Sequence, residues 1–162
     1  MAGNDEMKRW VIRVRVADRA GALTSIASAF SNRGVSIDTV VGHSHALSSR
    51  QDGTVVVTFS CTEAEKDAIV RIVKLLSKVV ALEEHPYEST SLRKAALVQV
   101  TRRLTPGDVV GRDTFLTCEL VRQAPDGFVY FVAGSPFELD PILSKFIEQG
   151  ILVDIVYSVL HL

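Results

Sequence analysis

The chain has 162 residues, 47% of them hydrophobic and 23% charged, which suffices for one ordinary domain or two very small ones and excludes a multidomain enzyme of normal size. Its 18 Lys and Arg against 19 Asp and Glu leave a formal net charge of -1, so there is no positive excess to displace counterions from a phosphate backbone, and nucleic acid is not an expected partner. No apolar run approaches the roughly 20 residues that span a bilayer, and the stretch 1–7 lacks the apolar core of a signal peptide, so a cytoplasmic protein with no membrane contact is expected.

From residue 10 to 17 apolar side chains alternate (Trp10, Ile12, Val14, Val16) with Arg13 and Arg15 opposite, the period of a strand with one buried face. Asp18-Arg19-Ala20-Gly21 breaks the alternation. Leu23, Ile26, Ala27 and Phe30 then recur at helical spacing, and Gly34 ends that helix as a left-handed cap would. Residues 35–41 and 54–60 read as strands, with Gln51-Asp52-Gly53 as turn chemistry before the second. Thr62 and Glu65 form a capping box that opens a helix with the apolar face Ala68, Ile69, Ile72, Val73 and Leu76. A fourth strand over 79–83 stops near Pro86. The order β-α-β-β-α-β is that of a split βαβ, ferredoxin-like unit, an antiparallel sheet with two helices on one face.

Residues 87–93 are polar and unpatterned and read as a linker between domains over 8–86 and 94–162. Residues 95–101 suggest a strand; 102–113, with Pro106, Gly107 and Gly111, suggests a loop or a short turn of helix. Strands over 114–122 and 128–133 flank Ala124-Pro125-Asp126-Gly127, a hairpin in which Pro sets the turn entry and Gly accepts a positive φ. Ser135-Pro136 is an N-cap followed by a first-turn proline. Leu139, Ile142, Leu143, Phe146 and Ile147 make the stripe up to Gly150, and 151–160 is the last strand. The second half thus repeats the first with its first helix eroded. The expected fold class is α+β: tandem ferredoxin-like units with helices on one face of antiparallel sheets, the second unit truncated.

No P-loop, Gly-x-Gly-x-x-Gly, Gly-x-Ser-x-Gly or His-Glu-x-x-His occurs, so neither catalytic residues nor a cofactor are expected. Cys61 and Cys118 are far apart and lack ligand-spaced neighbours, against a disulfide framework or zinc site. Cys118 shares a strand face with Leu116 and Leu120 and reads as a small buried hydrophobe. His43-x-His45 has no carboxylate or cysteine at metal spacing and reads as polar loop histidines; Arg102-Arg103 reads as solvated surface. The informative segment is 16–23. There a strand ends, Gly21 lets the backbone approach a guest, and a helix begins with unpaired N–H groups, a geometry that suits a carboxylate. Asp18 beside it would accept from an ammonium group. Equally, Asp18 caps the helix and Gly21 eases a tight turn; spacing alone leaves both readings open.

Residues 18–37, with Gly21-Ala22-Leu23, Phe30 ahead of Arg33-Gly34, and Ile37 after it, resemble the opening of an ACT domain. The two-part layout, ending near Gly150-Ile151-Leu152-Val153, is similar to the regulatory (small) subunit of acetolactate synthase. The resemblance implies a non-catalytic subunit that modulates a large thiamine-diphosphate enzyme and transmits feedback by valine or a related branched-chain amino acid. It also implies a homodimer or higher assembly, with effector sites where ACT domains of two chains meet. Carried over residue by residue, it implies effector contacts at Asp18, Ala20, Gly21, Ala22 and Leu23, with Ser36 and Ile37 facing them. The chain departs from valine-binding members at Asp18 and Ser36, where those show asparagine. These departures, with the shortened second half, favour a second reading: a free-standing tandem ACT sensor of a small molecule that acts on another enzyme or regulator. Independently of the resemblance, the unpaired edges of an open sheet invite pairing with a second copy.

Overall fold

A computed structural model describes residues 6–17, 20–44, 52–110 and 116–162. The chain divides into two compact units, one ending at Ser89 and the other starting at Thr90. Among the described residues no helix is long and apolar enough to cross a membrane.

The first unit comprises β1 (Lys8–Val16), α1 (Ala22–Ser31), β2 (Ile37–Ser44), β3 (Gly53–Cys61), α2 (Glu63–Lys74) and β4 (Val79–Pro86). Its strands form an antiparallel sheet in the order β2-β3-β1-β4. The alternation of β1 has the expected effect: Ile12, Val14 and Val16 are buried and join Val55, Val57 and Phe59 of β3 under the two helices. Phe30 of α1 meets Phe59 edge to face at 4.8 Å, anchoring helix to sheet. The buried stripe of α1 is Ala22, Ile26, Ala29 and Phe30, whereas Leu23 is 48% exposed and Ala27 half-buried. The expected stripe was therefore rotated by about one position, because small Ala22 and Ala29 let the helix lie close to the sheet and turn Leu23 outward. Gly34 has φ 67°, and Val35 N–H donates back to the Phe30 carbonyl at 3.2 Å, a left-handed helix end.

The capping box forms as expected: Glu65 N–H donates to Thr62 Oγ1 (3.3 Å) and Thr62 N–H to Glu65 Oε2 (2.9 Å). A charge joins the buried face of α2. The ammonium of Lys66 donates to Glu84 at 2.8 Å, pairs with Asp67 at 2.6 Å and lies 4.8 Å from the Trp10 ring centre, so its burial is compensated.

The second unit comprises β5 (Arg93–Val100), a 3-10 turn (Pro106–Asp108), β6 (Thr117–Ala124), β7 (Gly127–Gly134), α3 (Pro136–Glu148) and β8 (Leu152–Leu160). Its sheet order, β6-β7-β5-β8, is that of the first sheet with β5 in the place of β1. The registers also break at matching places, between Arg15 and Val16 against β4 and between Gln99 and Val100 against β8. Where α1 stands in the first unit, the described residues hold only the 3-10 turn, and Leu104, Val109 and Leu116 pack against a core of Val98, Tyr130, Val132, Leu139 and Phe146. Gly127 (φ 140°) must be glycine, since a Cβ there would stand 2.0 Å from the Val100 carbonyl oxygen. Ser135 Oγ accepts from Glu138 N–H at 3.3 Å, with Pro136 in the first turn of α3. Ile147, expected in the buried stripe, is 64% exposed: it lies in the last turn of α3, about 100° around the helix from the buried Phe146. The segment read as a polar linker contains two buried side chains, Tyr87 and Leu92, which a count of polar neighbours conceals.

Candidate functional site

Val16 pairs with Gly53, and Gly53 with Ser44, so the end of β1, the start of β3 and the end of β2 lie together at one end of the first sheet. There α1 begins. Gly21, at its N-cap, adopts φ 74°; among the described residues no side chain caps the helix, and its first turn holds no acidic residue. The first-turn amides thus lack intrahelical acceptors and stand at the positive end of the helix dipole. Ser25 returns both its N–H and its hydroxyl to the Gly21 carbonyl at 3.0 Å, and the Lys78 ammonium donates to the Ala20 carbonyl. Amides and ammonium together make this end of the unit attractive to an anion. Asp18 lies outside the described residues, as does His45.

Beside the turn lies an open cleft of about 270 Å³, lined by Val16, Ala22, Leu23, Gly42, His43, Gly53, Thr54 and Val55. Its walls are largely aliphatic, with His43 and Thr54 as polar side chains, and through Gly42 and His43 it reaches the edge strand β2. Leu23, put in the helix stripe by its spacing and among the effector contacts by the resemblance, is a wall of this cleft. The sequence reasoning missed Gly42, Thr54, Val55 and Lys78 and placed His43 on a loop or strand end; it stands next to last in β2. A glycine interrupting the β-branched run before His43 was the available signal, since such a glycine marks a close approach; Lys78 had none.

Ser36 and Ile37 lie elsewhere. Ile37 pairs with Phe59, which pairs with Trp10, six residues from Val16 along β1. At a strand rise of roughly 3.3 Å per residue, this places them roughly 20 Å from the Gly21 turn. Ser36 is exposed and Ile37 packs partly on the core. One chain therefore brings Ala20, Gly21, Ala22 and Leu23 together and leaves Ser36 and Ile37 at the opposite end of the sheet.

The matching place in the second unit, after β5, is self-satisfied. The carboxylate of Asp108 accepts from Arg102 at 2.8 and 2.9 Å and from the Thr105 amide and hydroxyl at 2.8 Å each. The Arg102 guanidinium first, and then the Thr105 donors, hold this buried carboxyl well below the usual carboxylate range. Arg102 is thus half of a bidentate pair while its side chain remains 44% exposed, and Arg103 is exposed as expected. Burial pushes the Cys61 thiol up to about 11 and raises that of Cys118, so both are poor sources of thiolate.

The family model of the ACT domain matches residues 10–77. No curated protein sequence matches the chain. Among solved structures, the acetolactate synthase small subunit from Thermotoga maritima superposes with a TM-score of 0.66 over 94% of this chain and 95% of its own, at 13% identity, which shows a shared fold. The ligand-free regulatory subunit of aspartate kinase from Thermus thermophilus gives a TM-score of 0.48 over 89% of this chain and 94% of its own, at 12% identity.

Proposed function

We propose, taking residues 10–77 as an ACT domain, that the chain is a non-catalytic regulatory subunit that holds a small aliphatic amino acid between two copies of itself and modulates an acetolactate-synthase-like catalytic subunit. One observation carries the reading: α1 begins, with no described side chain capping it, beside an aliphatic cleft at the β2 edge that its Ala22 and Leu23 help to line, while Ser36 and Ile37 sit at the far end of that same strand's side of the sheet. Antiparallel pairing of β2 with the β2 of a second copy sets the Gly42 end of one strand against the Ile37 end of the other. Each cleft then gains the facing residues that its own chain keeps about 20 Å away.

In this arrangement the first-turn amides of α1 take the effector carboxylate, Asp18 takes its ammonium, and Val16, Leu23 and Val55 face a valine-like side chain. An effector that prefers one arrangement of the pair over another shifts their populations by its differential affinity, a coupling of about 1–3 kcal/mol in typical cases, without any nucleophile or cofactor.

Calorimetric titration with valine, leucine and isoleucine tests the effector. At least one should bind the wild type and lose its heat in Gly21→Asp, which sets a carboxylate where the ligand's belongs; equal heats from both proteins would remove the turn from the site. Mixing with a thiamine-diphosphate large subunit should change its turnover, and no association at micromolar concentration would contradict that partner. The departures at Asp18 and Ser36 support the second reading, a free-standing sensor acting on another enzyme or regulator, which effector binding without large-subunit association would select.

A further inference from the structure

The face of the second sheet turned away from α3 carries an apolar row. In register across β7, β5 and β8 lie Phe131, Leu97 and Val156, with Leu97 46% and Val156 70% exposed. The matching positions of the first sheet, aligned through the shared register break, hold the buried Val56 in the place of Phe131, and Arg13 and Glu83, paired at 3.2 Å, in the places of Leu97 and Val156. At these two positions the same fold in the same chain thus carries an ion pair in one unit and exposed aliphatics in the other. A contiguous apolar row rimmed by polar groups marks an interaction surface.

The rim says which one. Glu119 extends the apolar row on β6, and the next row reads Arg122, Val129, Gln99, Asp154 from β6 to β8, so opposite charges end one row on opposite edges. We infer that this face seats the same face of a second copy, the two sheets stacked about 10 Å apart around a two-fold axis running along the strands. That axis lays β6 over β8 and β7 over β5. Arg122 then meets the partner's Asp154 twice, once from each side, and Phe131 meets the partner's Leu97. A two-fold axis across the strands would instead set Glu119 against its own copy, like charges face to face, and is disfavoured. The one poor match in the favoured orientation is Glu119 over the partner's Val156.

Sedimentation equilibrium of the full chain tests this. Added to the β2 pairing of the proposed function, this face carries the chain beyond a dimer; Val156→Lys should leave only the β2-paired dimer, and Arg122→Asp and Asp154→Arg should each weaken the further step at least tenfold. The double reversal should restore it, a rescue that a folding defect does not produce, and Glu119→Leu should tighten it. A wild type that stays monomeric or stops at a dimer that Val156→Lys leaves intact, a dissociation constant unmoved by the single variants, or a double variant no better than the singles would overturn the inference. None of these residues lines the Gly21 cleft, so effector heat measured on the same proteins reports the ACT site separately.

Discussion

The two units share a strand order and the place of a register break, yet differ in the segment that follows their first strand. After β1 the chain makes a left-handed turn at Gly21 and starts a helix whose leading amides no described side chain caps. After β5 it makes a 3-10 turn in which Asp108 gathers Arg102 and both Thr105 donors. The second unit supplies the carboxylate from its own sequence; in the first, under the function proposed above, the effector supplies it. One scaffold therefore carries a candidate binding site in one copy and a closed structural knot in the other.

The largest effects should come from truncating the aromatic anchors, which separates the two units by function. Phe30 and Phe146 are both essentially inaccessible, so Phe30→Ala and Phe146→Ala should each cost about 3–5 kcal/mol in urea unfolding. Only Phe30→Ala should abolish effector heat under conditions where both variants remain folded; loss in both alike would place the site elsewhere.

A smaller pair isolates backbone from site. Gly21 (φ 74°) and Gly34 (φ 67°) both pay for a side chain in left-handed geometry, so alanine at either should destabilise by about 1–2 kcal/mol. A Cβ at Gly34 meets nothing within 4 Å, whereas one at Gly21 meets Lys78 Nζ at 3.3 Å beside the helix N-terminus. Effector affinity should fall about tenfold in Gly21→Ala and stay unchanged in Gly34→Ala, an energy difference of about 1.4 kcal/mol. Equal affinities would show that the turn is only a turn.

The smallest effect belongs to the knot in the second unit. With its folded-state pKa depressed, Asp108 contributes stability that is present above the ordinary carboxylate pKa of about 3.9 and is lost as pH falls through the depressed value. In that window the unfolded chain binds more protons, so stability rises with pH. Asp108→Asn should flatten the acid limb of a urea-midpoint profile, and an unchanged limb would contradict the account of the knot.

Much of the fold was legible because half-buried strands write their alternation into the sequence, as Ile12, Val14 and Val16 do, and because caps such as Thr62 and Ser135 are local chemistry. What escaped was set by tertiary contacts. An apolar count does not anticipate Lys66 and Lys94 as buried residues, because their carboxylate partners, Glu84 and Asp140, come from other elements. Nor does it distinguish Leu23 on a cleft wall from Leu23 in a core, since the face of α1 is decided by how closely Ala22 and Ala29 approach the sheet. Within the candidate site, Gly21 was legible through its neighbours, while the strand end at Gly42 and His43 was not, because only pairing with β3 carries it to the cleft.

Mixing two defective chains tests the central claim most directly. If the effector lies at a seam between copies, Gly21→Asp and Ser36→Arg should each bind nothing alone. Their mixture should recover binding, because the heterodimer joins an intact turn from one chain to an intact Ser36 from the other. A mixture as silent as its parts, or a Ser36→Arg protein that binds like the wild type, would contradict it.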